Sequence, residues 1–252
     1  MVRVIMHGCN GVMGQVITGM AKDMEGLTIV AGIDLKNDKE NGYPVYASLE
    51  ECKEEADAVV DFASPKAADH LMDFCAEKKL GLVLCTTGLS EEQIKKVKET
   101  AEKTAVLRSA NMSLGVNLLL KLVQEAAKVL ASSGFDIEIV EKHHKLKKDA
   151  PSGTALALGD AINEGLSEKY EYVFDRSQRS IPRPQKEIGF SAVRGGTIVG
   201  DHDVIFAGKD EVITFNHTAY SKAIFAKGAL EAAKFLAGKE PGLYDMSDVV
   251  QL

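Results

Sequence analysis

Short apolar runs and longer amphipathic ones take turns along the first hundred residues. Val2 to Met6 is apolar enough for a buried strand, and helical spacing then places Val16, Ile17, Met20 and Ala21 on one face. Leu27 to Ile33, Ala58 to Phe62, Gly81 to Cys85 and Ala105 to Arg108 repeat the strand pattern. Between them, Ala67 to Lys78 and Glu91 to Lys103 read as helices, the second opened by a capping box of Ser90 and Gln93. Strand, helix, strand in this order predicts a parallel sheet.

After Asn111 the pattern changes. A long amphipathic helix runs from Leu114 to Ala131, breaks at Ser132, Ser133 and Gly134, and leads to a strand, Ile137 to Glu141. A basic stretch follows, then an apolar helix from Ala155 to Ile162. Beyond Arg179 the runs Glu187 to Val193, Thr197 to Ala207 and Glu211 to Ala219 read as neighbouring strands of a mostly open sheet. A final helix, Lys222 to Leu236, precedes a tail whose Leu243, Tyr244 and Val249 are expected to pack back onto the first domain.

Composition narrows the classes. The 252 residues are 45% hydrophobic and 27% charged, as in ordinary folded chains, and suffice for one large domain or two modest ones. A net charge of -7 argues against a nucleic-acid partner, which needs a broad basic face. No apolar run approaches a membrane span of about eighteen residues, and the N-terminal segment lacks the features of a secretory signal. Cys9, Cys52, Cys75 and Cys85 lie far apart, as reduced thiols of a cytoplasmic protein do, and no metal site is expected.

The glycines carry the first chemical signal. Gly8, Gly11 and Gly14 link the first strand to the first helix, where small residues let a pyrophosphate approach the N–H groups of a helix start. Asp34, twenty residues after Gly14, ends the second strand and is placed to accept from ribose hydroxyls. A glycine triplet alone is also an ordinary tight turn; strand, helix and acid at the required spacing favour a dinucleotide. Ligands of such sheets sit beyond the carboxyl ends of the strands. That gathers Phe62, Ala63 and Ser64, then Cys85, Thr86, Thr87 and Gly88, then Ser109, Ala110, Asn111 and Met112.

The second signal is EKHHKLKKDAPSGTA, from Glu141 to Ala155, in which six of the seven residues from Lys142 to Lys148 can be cationic. Such a run is usually a solvated face. Here it leads into a helix start at which Ser152 and Thr154 add hydroxyls and Gly153 permits close approach, a combination that binds carboxylates. With Lys147 and one or both of His143 and His144 beside it, the loop suits a small dicarboxylate. Histidine can also exchange a proton at a reacting carbon. A shared metal is disfavoured, because His143 and His144 diverge at a strand end.

GCNGVMG, CTTG at 85–88, SANMSLGVN at 109–117, EKHHKLKKDAPSGTAL at 141–156 and GFSAVRGGTIVGDHDVIF at 189–206 together resemble the dihydrodipicolinate reductase family across nearly the whole chain. The resemblance implies an α/β chain: a Rossmann-type parallel sheet in residues 1–112 completed by 222–252, and an inserted α+β domain, residues 113–221, for substrate and homotetramer formation. It implies NADH or NADPH as hydride donor for 4-hydroxy-tetrahydrodipicolinate, held by the loop Gly8, Cys9, Asn10, Gly11, Val12 and Met13 with the residues named above. His143 would donate the proton, Lys147 would be a second donor or electrostatic partner, and His144, Gly153 and Thr154 would be substrate ligands.

Where many members carry arginine after the strand-end acid, this chain has Leu35 and Lys36. Asp34 repels a 2′-phosphate and Lys36 attracts one, so use of both cofactors with a lean toward NADH is expected. A dehydrogenase of another diacid such as aspartate, and a non-catalytic dinucleotide sensor, are the rival readings; the histidine pair and Ser-Gly-Thr loop favour the reductase. Arg194 reads equally as an anion ligand or a structural group, and the roles of His202 and His217 stay open.

Overall fold

The computed structural model describes residues 1–250. In chain order the elements are β1 (Val2–His7), α1 (Val12–Ala21), β2 (Leu27–Ile33), β3 (Val45–Tyr46), β4 (Ala58–Asp61), α2 (Pro65–Lys78), β5 (Gly81–Leu84), α3 (Glu91–Ala101) and β6 (Ala105–Leu107). Next come α4 (Leu114–Leu130), β7 (Asp136–His143), α5 (Gly153–Gly165), β8 (Glu171–Val173), β9 (Glu187–Arg194), β10 (Asp201–Ala207) and β11 (Val212–Thr218). The chain closes with α6 (Ala223–Leu236), β12 (Gly242–Tyr244) and α7 (Met246–Val249). Two compact units result: Met1–Leu114 with residues 222–250, and Gly115–Ser221. No helix among the described residues is long and apolar enough to cross a membrane.

The first unit is built on a seven-stranded parallel sheet of order β12-β6-β5-β4-β1-β2-β3. Its strand order reverses between β1 and β4, the point at which open sheets leave a crevice. Alternate residues of β1 serve opposite faces: Val4 and Met6 pack with Ile17 of α1 and Ala229, Leu230 and Ala233 of α6. Ile5 packs instead with Leu71, Met72 and Cys75 of α2 and Val97 of α3. Burial on both faces explains why these strands read as continuous apolar runs. Each fully buried Leu or Ile contributes roughly 1.5–3 kcal/mol.

β3, β8 and β12 have two or three residues each, too short for a periodic signal. β12 lengthens the first sheet beside β6, and Tyr244 and Val249 pack into its core, whereas Leu243 is exposed.

The second unit carries a five-stranded mixed sheet of order β11-β10-β7-β9-β8. Here the expectation of neighbouring consecutive strands is corrected: β7 lies between β9 and β10, parallel to the first and antiparallel to the second. Thr197 to Gly200 forms the turn that reverses direction, helped by positive φ at Gly196. One face of the sheet is covered by Leu119, Val123 and Ala127 of α4 and by Ala155, Leu158 and Ile162 of α5.

Candidate active site

The chain leaves β1 at His7 and turns at Gly8 with φ 80°. A Cβ there would lie 2.9 Å from Ala63 Cα, so the glycine is required twice, by conformation and by the approach of the β4 turn. Gly11 caps α1 without a side-chain bond, which leaves the N–H groups of the first turn to a ligand. A Cβ on Gly14 would overlap the Gly8 and Cys9 carbonyls. Asp34 Oδ2 accepts the Asn10 N–H at 2.9 Å and Oδ1 accepts the Lys36 N–H at 3.2 Å, tying the glycine turn to the end of β2.

A cleft of about 550 Å³ opens there, lined among others by His7, Gly8, Gly11, Asp34, Phe62 and Ser64. Its glycine cradle and uncapped helix start fit a dinucleotide's phosphates. Other predicted residues serve the loop itself. Burial pushes the Cys9 thiol up to about 11, and the Asn10 amide bonds the Lys36 carbonyl and Asn41. Val12 is exposed, while Met13 packs toward the core. Cys85, Thr86 and Thr87 follow β5, and Ser109, Ala110, Asn111 and Met112 follow β6, at the same carboxyl edge as Phe62 after β4. Thr86 is buried with Oγ1 unpaired, and burial pushes the Cys85 thiol well up.

In the second unit β7 alternates strictly, so Ile137, Ile139, Glu141 and His143 share the covered face. Glu141 is the group that sequence reasoning missed. At 1% exposure, its Oε1 accepts from Arg194 Nη2 at 2.6 Å and from the Ser152 N–H at 3.1 Å. Oε2 accepts from Arg194 Nη1 at 2.7 Å and lies 2.5 Å from His143 Nδ1. Burial pushes this carboxyl up, but the Arg194 and His143 hydrogen bonds more than offset it and hold it below the usual range. The available signal was the two-residue spacing from Glu141 to His143, which puts acid and ring on one side of a strand.

Register completes the cluster. His202 lies opposite Glu141 and Arg194 beside His143. The His202 ring meets the His143 ring edge-on at 5.1 Å, and burial lowers its pKa to about 4. Burial likewise lowers that of His217, opposite His202. Gly200 sits so that a Cβ would be 3.4 Å from His143 Nε2, and its missing side chain leaves room at that nitrogen. Arg194, whose Nη2 also donates to the Asp149 carbonyl at 2.6 Å, has its fork committed to the protein.

The Ser152 hydroxyl points inward, accepting the Ala155 N–H at 3.1 Å and sharing a bond with His202 Nε2 at 2.8 Å, so it caps α5. Gly153 is exposed with open space where a Cβ would stand, and Thr154 is half-buried beside it.

The basic stretch is also less unpaired than its sequence implies. Lys142 bonds Asp203 at 2.8 Å, and Lys147 bonds Asp149 at 2.9 Å. The Asp149 carboxyl is held down by Lys147 and helped by the Gly153 N–H, so one of the chain's own carboxylates already uses donors suited to a substrate's. Lys145 and Lys148 are exposed, and His144 Nδ1 is buried without a partner.

Comparison with known proteins finds matches for both halves of the chain. The family described as "Dihydrodipicolinate reductase, N-terminus" matches residues 2–112, and "Dihydrodipicolinate reductase, C-terminus" matches 115–250. The 4-hydroxy-tetrahydrodipicolinate reductase of Caldanaerobacter subterraneus subsp. tengcongensis is 56% identical over 100% of this chain and 99% of its own. That of Clostridium tetani is 48% identical over 98% of this chain and 96% of its own. The structure of dipicolinate-bound dihydrodipicolinate reductase from Paenisporosarcina sp. TG-14 shares the fold, with a TM-score of 0.83 at 24% identity over 98% of this chain and 99% of that one. With relatives this similar matched along their full length, the chain belongs to the dihydrodipicolinate reductase family.

Proposed function

We propose that the chain reduces 4-hydroxy-tetrahydrodipicolinate to tetrahydrodipicolinate with loss of water, in lysine and diaminopimelate synthesis. The observation that carries this reading is the His143 ring, backed by a buried carboxylate, at the end of a strand that leads to Lys147 and the open helix start at Gly153. A reduced nicotinamide nucleotide, when bound, supplies the hydride.

The first unit holds the nucleotide mainly through backbone: Gly8 to Met13 at the phosphates, Asp34 at a ribose, and the turns at Phe62, at Cys85 to Thr87 and at Ser109 to Met112. The second unit holds the substrate. Its carboxylates take the α5 N–H groups at Gly153 and Thr154 together with His144 and Lys147, and the Lys147 ammonium leaves Asp149 to do so. His143 Nε2 delivers the proton while Lys147 offsets the charge that hydride addition places on the ring, each worth about a hundredfold or more.

NADH is the preferred cofactor, since Asp34 disfavours a 2′-phosphate, with NADPH also accepted through Lys36. The half-exposed face of the second sheet, with Val193 and Val212 uncovered, supports assembly of a homotetramer. The unpaired cysteines suit the cytoplasm.

The test couples the protein to a synthase that makes the substrate from pyruvate and aspartate semialdehyde, and follows cofactor oxidation by absorbance. His143→Gln is expected to lower kcat about a hundredfold with little change in KM, and Lys147→Ala to lower kcat and raise KM. Unchanged kinetics in either variant would refute that residue's role, and a strong NADPH preference would refute the cofactor order.

A further inference from the structure

Glu141 occupies a position where the pattern of β7 calls for an apolar side chain. Ile137 and Ile139 precede it on the same face, at 0% and 1% exposure. A carboxylate buried there loses several kcal/mol of hydration and persists only where bonds replace the water. Its four bonds go to three residues. Oε1 and Oε2 share the Arg194 fork, which fixes the plane of the carboxylate, and each oxygen then has one further contact. For Oε1 this is the Ser152 N–H at the head of α5; for Oε2 it is His143 Nδ1.

We infer that Glu141 is the positioning residue of this reaction: its carboxylate holds His143 by Nδ1, presents Nε2 as the acid, and sets that nitrogen in register with the helix start that takes the substrate. The inference rests on the proposed role of His143 and extends it to the group that orients the ring. With Nδ1–H donated to an ionised acid, the proton to be transferred sits on Nε2, the nitrogen beside the space at Gly200. On reduction, hydride adds to one ring carbon of the unsaturated substrate, the Nε2–H bond breaks, and a C–H bond forms at the neighbouring carbon. The nicotinamide is oxidised, and His143 is left neutral with Nδ1–H still on Glu141. The carboxylate stays ionised throughout because Arg194 neutralises it. A purely structural Glu141–Arg194 pair would need neither the Nδ1 contact nor the bond to Ser152.

Nitrogen-15 labelling of the histidine rings tests this directly. In the unaltered protein the His143 Nδ1 proton is expected as a slowly exchanging, low-field signal, assigned by its loss in His143→Gln. In Glu141→Gln that signal disappears and kcat falls about a hundredfold or more, while KM changes less than threefold. Absence of the Nδ1 proton from the unaltered protein overturns the inference, whether or not the variant folds, and leaves the assignment of function standing. Retention of the signal and of turnover in Glu141→Gln overturns it as well. Full turnover in His143→Gln overturns both this inference and the role of His143 on which it rests, and leaves the assigned activity standing.

Discussion

Each unit buries a carboxylate against a histidine Nδ1, and the two pairs differ in what else holds the acid. In the first, His7 Nδ1 meets Asp61 Oδ1 at 2.7 Å across neighbouring parallel strands, with Asp61 1% exposed. The same Oδ1 accepts the Ala63 N–H, and among the described residues Oδ2 has no partner and no lysine or arginine pairs with the acid. In the second, Glu141 spends both oxygens, two bonds going to an arginine fork. A histidine beside an acid is therefore not enough to mark a proton donor. The fixed cation is what allows an ionised carboxylate to stay deep in the protein beside the ring.

Removing the cation should separate the pairs most sharply. Arg194→Met strands the Glu141 charge and is expected to cost about 3–5 kcal/mol in urea unfolding. Asp61→Asn, which breaks a pair with no such counter-ion, should cost about 1–3 kcal/mol. Equal losses would erase the distinction. Acid should probe the second cluster next. His202, packed among His143, Glu141, His217 and Asp201, has its pKa lowered from 6.5 to about 4, so below 6.5 the unfolded chain binds a proton that the folded one refuses. Its contribution, about 3 kcal/mol, is present above pH 6.5 and lost as pH falls through 4. His202→Gln should flatten that part of the stability-against-pH curve, and an unaltered slope would place the titration elsewhere. The smallest effect belongs to His7. His7→Gln, altering one side chain of the cleft proposed for the nucleotide, should weaken NADH binding less than tenfold, or about 1.4 kcal/mol, by fluorescence titration. Dipicolinate affinity should not change; if it does, His7 acts on more than the nucleotide.

The parallel sheet, the glycine turn with Asp34 and the helix start at Ser152 were legible because each is written in contiguous residues: apolar periodicity, small residues at a tight turn, a cap before an apolar run. Even the side of β7 that carries His143 could be read from alternation. The short strands β3, β8 and β12 could not, since two or three residues show no period. Nor could the inward turn of the Ser152 hydroxyl, which depends on His202, 50 residues away.

What the order of residues settled was local, namely which segments become strand or helix and which loops can meet an anion, because backbone preferences act over a few positions. Sheet order and register settled the rest. Inserting β7 between β9 and β10 brings Arg194 to Glu141 across 53 residues and lays His202 opposite the same acid. Partners so distant in the chain leave no mark on the pattern near either one, and the charge and proton placement of the site is a property of their meeting.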